Sequence, residues 1–185
     1  MQKLKKIKLI FGVGNIGSVY ENTRHNFGRD LISHYLKNPQ PLRYSEYEKN
    51  NGLILGRGLT FVNESSKAIT ELVKRFKVKP EEILVIHDEA DLPFLWLKFS
   101  FGKKAAGHKG IESIRRALKT YDFWRLRVGL QGKKRKPAME IILKKLAPVE
   151  KKNFDKAKKR FEEILNRLKQ TTPAKLNLPQ SFLLE

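Results

Sequence analysis

Strand-length apolar runs alternate along this chain with stretches of helical period, and this alternation limits its folds more than any other feature. Lys5–Val13 (KKIKLIFGV) reads as a buried strand, and Ile83–Ile86 as a central one running into HDEADLP. Leu95–Phe99 and Phe123–Leu130 have the same character. Between them, Phe27, Leu31, Ile32, Tyr35 and Leu36 fall on one helical face, with Asn22 or Thr23 available as the cap and Asn38-Pro39 beyond the end. Glu64–Phe76 aligns Ala68, Ile69, Leu72, Val73 and Phe76, and Gly107–Leu118 is a third helical stretch. A last helix, about residues 148–169, opens on Pro148 and carries Phe154, Ala157, Phe161, Ile164, Leu165 and Leu168 as its apolar stripe. Leu53–Leu55 and Leu59–Val62 flank Gly56-Arg57-Gly58, which predicts a hairpin there. Strands alternating with helices predict an α/β fold with a twisted mixed central sheet and helices on both faces. No repeat or low-complexity linker divides the chain, so one domain is expected over residues 1–185, with the last helix packed on it.

Composition removes several chemistries. The chain has no cysteine, which excludes disulfides, thiolate zinc sites and thiol catalysis. No apolar run approaches the ~18 residues of a membrane helix. The N-terminus enters a strand-like run almost at once, without a signal-peptide pattern, so a cytoplasmic protein with no membrane association is expected. Charge is the unusual quantity: 39 Lys and Arg against 19 Asp and Glu, a formal +20. Solubility is one explanation and a polyanionic partner, most often nucleic acid, is the other. Distribution favours the second, because residues 98–136 hold thirteen Lys or Arg and only Glu112 and Asp122 as acids.

After the first strand, Gly12-Val13-Gly14-Asn15-Ile16-Gly17 spells the dinucleotide fingerprint G-x-G-x-x-G. A nucleotide site needs the helix to open at the glycines and an acid at the end of a second strand. Here SVYENT intervenes, and Asp30, at the right separation, falls inside the predicted helix. The glycines read instead as a tight turn that brings Asn15 and the following loop to the carboxyl edge of the sheet.

Four histidines are candidates for chemistry. His34 lies within a helix and reads as packed or solvated. His108, in AAGHKG, sits where a cap is needed. His87 ends a strand and can simply fill the end of the sheet. His25 stands in a loop between Arg24 and Asn26, and Asp88, at the end of another strand, is a carboxylate suited to fix its tautomer and stabilise its protonated form. Ser18, Ser65 and Ser66 lie in no G-x-S-x-G elbow, which leaves water as the nucleophile. Metal ligation by histidines and the HDE carboxylates is the alternative, although the spacing matches no zinc signature.

GVGNIGSVYENTRHNFG resembles the N-terminal signature of bacterial peptidyl-tRNA hydrolases, G-L-G-N-P-G, Tyr, then T-R-H-N-x-G. FVNESSKAI, HDEADLP, GHKGIESI and FWRLRVGL resemble further blocks of that family in the same order, over residues 7–146. The resemblance implies hydrolysis of the ester between a peptide and the 3′-terminal ribose of tRNA, by a monomer without cofactor or metal. It implies His25 as general base, Asp88 as its orienting partner, Asn15 and Asn63 as holders of the peptide end and the water, and Tyr20 near the tRNA end. Lys109 stands where the family has Asn, and as a pure donor it can grip a phosphate or an oxyanion but not accept a hydrogen bond. Ile16, Ser66 and Lys103-Lys104-Ala105-Ala106 also depart from the usual pattern. Lys103, Lys104, Lys109, Arg127, Lys133, Lys134 and Arg135 are the candidate tRNA contacts, although GKKRKP (132–137) can equally be a solvated loop. A non-catalytic RNA-binding relative of the same fold is the second reading, and Lys109 is its main support.

Overall fold

A computed structural model describes residues 5–176. Seven strands, β1 Leu9–Gly12, β2 Gln40–Pro41, β3 Ser45–Asn50, β4 Leu53–Gly58, β5 Ile83–Pro93, β6 Leu97–Phe101 and β7 Trp124–Gln131, form one sheet in the order β2-β3-β4-β1-β5-β7-β6. The middle four, β4, β1, β5 and β7, run parallel, while β2–β3, β3–β4 and β6–β7 pair antiparallel. The sheet is therefore mixed, as the sequence predicts. Five α-helices are described: α1 Phe27–Ser33, α2 Ser65–Phe76, α3 Lys109–Leu118, α4 Ala138–Ile141 and α5 Pro148–Gln170.

Burial on both sides explains the apolar runs. Along β5, Leu84 and Ile86 join one core with Phe27 and Leu31 of α1 and Phe154 and Phe161 of α5. Ile83 and Val85 join the other core with Ile69 and Leu72 of α2 and Ile111 and Ile114 of α3. Successive residues of a strand point to opposite faces, so a strand covered on both sides must be apolar throughout. Phe27 and Phe154 stack with ring centroids 4.4 Å apart, tying α5 to α1.

Several boundaries differ from expectation. Gly56-Arg57-Gly58 is not a turn but the end of β4; the hairpin turn is Asn51-Gly52, with φ of 45° and 86°. Two consecutive positive φ values match the twist of a two-residue hairpin, and Asn-Gly is the sequence that supplies them. Leu59–Val62 is correspondingly not a strand, and Val62 opens a 3-10 turn leading into α2. A Cβ on Gly56 would meet Leu72 Cδ1 at 2.8 Å, so that glycine serves the close approach of α2. Strand β5 does not end at Ile86 but continues through HDEADLP to Pro93. Thr23 does not cap α1; its hydroxyl donates to the Tyr20 carbonyl at 2.7 Å.

Candidate active site

From β1 the chain turns into α1 on one face of the sheet; from β5 it leads through β6 to α3 on the other. Such a switch opens a crevice at the carboxyl ends of the two strands, where ligands of α/β proteins collect. Here β1 and β5 are adjacent, with Gly12 opposite Ile86. The glycines build the crevice wall. A Cβ on Gly12 would lie 2.3 Å from the Gly28 carbonyl oxygen, and one on Gly28 would lie 2.1 Å from that of Ile86. Helix α1 thus rests its first turn directly on the strand ends, and at Gly17 the chain turns with φ 100°. Close packing at Gly12 and Gly14 and a positive φ at Gly17 give each glycine of the motif a structural use.

The turn delivers His25 to Asp88. His25 Nδ1 and Asp88 Oδ2 are 2.9 Å apart, and His108 Nε2 reaches the other oxygen, Oδ1, also at 2.9 Å. Asp88 is 3% exposed. Burial opposes its ionisation, but the His108 and His25 imidazoles and their N–H bonds outweigh burial and hold its carboxyl well below the ordinary range. For His25 burial pulls the other way, and Asp88 overcomes it, so the imidazole titrates above its usual 6.5. With Nδ1–H donated to Asp88, the lone pair sits on Nε2, which finds no hydrogen-bond partner among the described residues. An imidazole held this way can accept a proton from water.

The remaining imidazoles fall into defined places. His108 caps α3, its Nδ1 accepting the Ile111 N–H at 3.4 Å. That bond needs the lone pair on Nδ1, so Nε2 carries the hydrogen given to Asp88. Capping was legible in the sequence; the second claim on Asp88 was not. His87 is buried behind this pair, and His34 lies exposed at the end of α1 with its ring edge on Tyr35. One donor atom each from His25, Asp88 and His108 lies within 4.8 Å of the others, a spacing that could hold a cation. Both Asp88 oxygens, however, already accept N–H bonds from the two rings.

Asn15 is fixed from three sides. Its backbone is clamped by the Asn26 side chain, whose Oδ1 accepts the Asn15 N–H at 2.8 Å and whose Nδ2 donates to the Asn15 carbonyl at 3.0 Å. Its own Oδ1 accepts the Val62 N–H at 2.9 Å, which leaves Nδ2 as the group offered outward. Asn63 follows on the same 3-10 turn, exposed, and Tyr20 meets Phe61 edge-on at 6.1 Å between ring centroids. Lys109 is the exposed first residue of α3, beside His108.

A segment that carried no sequence signal grips this loop from outside. The His25 N–H donates to the Ile142 carbonyl at 2.8 Å, the Leu146 N–H to that of Asn22 at 2.9 Å, and Thr23 bridges Lys145. Behind the loop lies a cavity of about 470 Å³, lined by Asn15, Asn26, Arg29, Asp30, Arg57 and Lys158 among others, with none of His25, Asp88 or His108 on its wall.

The basic candidates divide into two kinds. Lys103, Lys104, Lys133 and Lys134 are exposed, the first two in a loop whose carbonyls accept bonds from buried Arg125 at 2.9 and 3.2 Å. Arg127 is drawn back onto Glu89 at 3.2 Å, and Arg135 pairs with Asp91. The loop 132–137 is stapled at its base by Gln131, whose amide bonds the Ala90 and Lys136 carbonyls, each at 2.7 Å.

The sequence profile of the family described as peptidyl-tRNA hydrolase matches residues 9–180. The chain belongs to the peptidyl-tRNA hydrolase family. It is 36% identical over 169 residues to the peptidyl-tRNA hydrolase of Lactobacillus johnsonii, covering 86% of this chain and 91% of that one. With the Aquifex aeolicus protein of the same name it shares 32% over 177 residues, covering 90% and 92%. The crystal structure of a peptidyl-tRNA hydrolase from Acinetobacter baumannii has the same fold, with a TM-score of 0.70 at 23% identity over 94% of this chain and all of that one. Membership in the peptidyl-tRNA hydrolase family agrees with the motif resemblance at residues 7–146. Among the described residues, no helix is long and apolar enough to cross a membrane.

Proposed function

We propose that this member of the family hydrolyses the ester between a peptide and the 3′-terminal ribose of tRNA, with His25 as general base. The observation that carries the reading is the 2.9 Å contact of His25 Nδ1 with buried Asp88, which turns Nε2 outward as the basic atom. His25 takes a proton from water as the oxygen attacks the ester carbonyl. The Asp88 carboxylate stabilises the imidazolium so formed. Asn15 Nδ2, held in place by the clamp on its backbone, and the exposed Asn63 amide are suited to hold the water or the developing oxyanion, because each offers an N–H donor and Asn63 also an acceptor oxygen. Collapse of the tetrahedral intermediate breaks the bond to the ribose oxygen, which takes the proton back from His25. The products are a free peptide carboxylate and tRNA.

Recognition falls to the tRNA, because the peptide varies in sequence. Phosphate and sugar contacts serve this purpose without reading bases. The exposed lysines at 103, 104, 109, 133 and 134 support such docking. Arg127 and Arg135 would first have to leave Glu89 and Asp91, so they rank below the lysines. A monomeric enzyme of the cytoplasm is part of the same proposal.

The test is peptide release from purified peptidyl-tRNA, run beside His25→Ala. Release should fall roughly 10²- to 10⁴-fold in the variant, with tRNA affinity nearly intact. A near-normal rate in the variant would remove His25 from the mechanism. Binding of tRNA by the parent protein without any release would favour the RNA-binding reading.

A further inference from the structure

One imidazole beside the cluster has no part in the chemistry just described. His87 is 1% exposed and precedes Asp88 on β5. Strand alternation puts it with Ile83 and Val85 on the face covered by α2 and α3, while Asp88 points with Leu84 and Ile86 toward α1. His87 Nδ1 lies 2.6 Å from the Asp88 main-chain carbonyl oxygen, and its ring meets that of His108 edge-on, with centroids 4.7 Å apart at 77°. A carbonyl only accepts, so Nδ1 carries the hydrogen and Nε2 is a bare lone pair. That Nε2 is buried without a partner.

The position explains why so exacting a group is useful there. Asp88 must offer Oδ2 to His25 and Oδ1 to His108 at once, which fixes both its main chain and its side-chain torsions. It sits one residue from the point where regular pairing of β5 with β7 ends, since the register shifts between Glu89 and Pro93. At such a register shift the ladder constrains backbone direction least. His87 touches both things that must be aligned: the main chain of Asp88 through its N–H, and the plane of the His108 ring through its edge. A leucine would fill similar space without burying an unpaired acceptor, but it has no donor for that carbonyl.

We infer that His87 is a positioning residue, whose Nδ1–H bond to the Asp88 carbonyl and edge contact with His108 hold the Asp88 carboxylate in the one orientation that reaches both His25 and His108. The inference deepens the proposed hydrolysis and rests on it for its kinetic consequences, although the alignment itself can be observed without substrate. Asn at position 87 offers Nδ2–H close to where the imidazole offers Nδ1–H, so His87→Asn is the conservative variant and His87→Leu the disruptive one.

Three measurements test it. In the unsubstituted protein, nitrogen-15 NMR should find His87 neutral with its hydrogen on Nδ1; a hydrogen on Nε2 overturns the inference whatever the variants do. In the substrate-free protein, His87→Leu should move the His25 titration to lower pH as its contact with Asp88 loosens, and His87→Asn should restore it. In the release assay, kcat should fall roughly 10- to 100-fold in His87→Leu with KM nearly constant, and His87→Asn should recover most of it. An unchanged His25 titration in folded His87→Leu overturns the inference, as does equal impairment in both variants at unchanged Tm. If the parent protein releases no peptide, the esterase reading fails while the two NMR results still decide the role of His87.

Discussion

Asp88, in contact with His25, and Asp30, which lines a cavity together with Asn15, are both withdrawn from solvent, yet their carboxyls are pushed in opposite directions. Asp88, the more deeply buried, is held well below the ordinary carboxylate range because two N–H donors touch its two oxygens. Asp30 faces the cavity behind the loop, and burial raises it from 3.8 to about 6, only partly opposed by Lys158, Arg29, Arg57 and the Asn22 N–H. Those three cations have other partners: Lys158 pairs with Asp155, Arg57 bonds Glu46 and Ser33, and Arg29 bonds the Gly58 carbonyl. The two imidazoles touching Asp88 therefore outweigh its desolvation, whereas Lys158, Arg29, Arg57 and the Asn22 N–H offset only part of that at Asp30. One acid is arranged to stay ionised beside a base; the other is tolerated.

Exchanging each carboxyl for its amide is the sharpest way to break this contrast. Asp88→Asn should lower kcat roughly 10²- to 10⁴-fold, because the amide cannot stabilise an imidazolium. It should also move the acid limb of kcat/KM from above 6.5 to below it, since burial then acts on His25 without opposition. An acid limb that stays in place would show that Asp88 does not control His25.

Exposed charge is expected to act on binding rather than on turnover. If about three phosphates are neutralised, KM should rise roughly ten- to fifty-fold between about 50 and 200 mM salt. A flat KM over that range would refute electrostatic docking.

Asp30→Asn should leave turnover unchanged and stabilise the fold. The sign follows from linkage: a carboxyl raised in the folded state favours folding while protonated and loses that contribution as pH climbs from near 3.8 through about 6. The amide should thus gain about 1–2 kcal/mol at pH 7 and almost nothing at pH 4, less than the full shift implies because the carboxyl faces an open cavity. Denaturant melts of both proteins at the two pH values will check it. Asp88 has the opposite dependence, contributing stability above its unfolded value and losing it as pH falls through its depressed folded one.

The smallest effect is expected at Lys109. Lys109→Asn should leave kcat unchanged or improved within about threefold, because an exposed lysine at the first turn of α3 supplies only donors. A sharp fall would assign Lys109 a role in the reaction itself.

Local pattern decided much of this molecule. The helical spacing in Ser65–Phe76 and Pro148–Gln170 and the apolar runs at β1, β5 and β7 needed no tertiary information, because the period of burial is written into the order of residues. The pairing of His25 with Asp88 was expected from their residue types and the motifs around them, and the two side chains do meet. The strength of a local signal did not always match its meaning. Gly56-Arg57-Gly58 looked like a turn because glycine permits one, while the glycines at 56 and 58 lie along a strand closely packed by α2; the hairpin lay instead in the Asn-Gly pair at 51–52.

What the order of residues could not convey was convergence. The second imidazole on Asp88, the clamp of Asn26 on Asn15, the grip of 142–146 on the loop that carries His25 and the retreat of Arg127 onto Glu89 all join positions far apart in sequence or turn on a side-chain direction. A carboxylate has two oxygens and a strand two faces. Only the packing of α1 against one face and α3 against the other determines which groups arrive at each, and hence which acid is held ionised and which is pushed toward its protonated form.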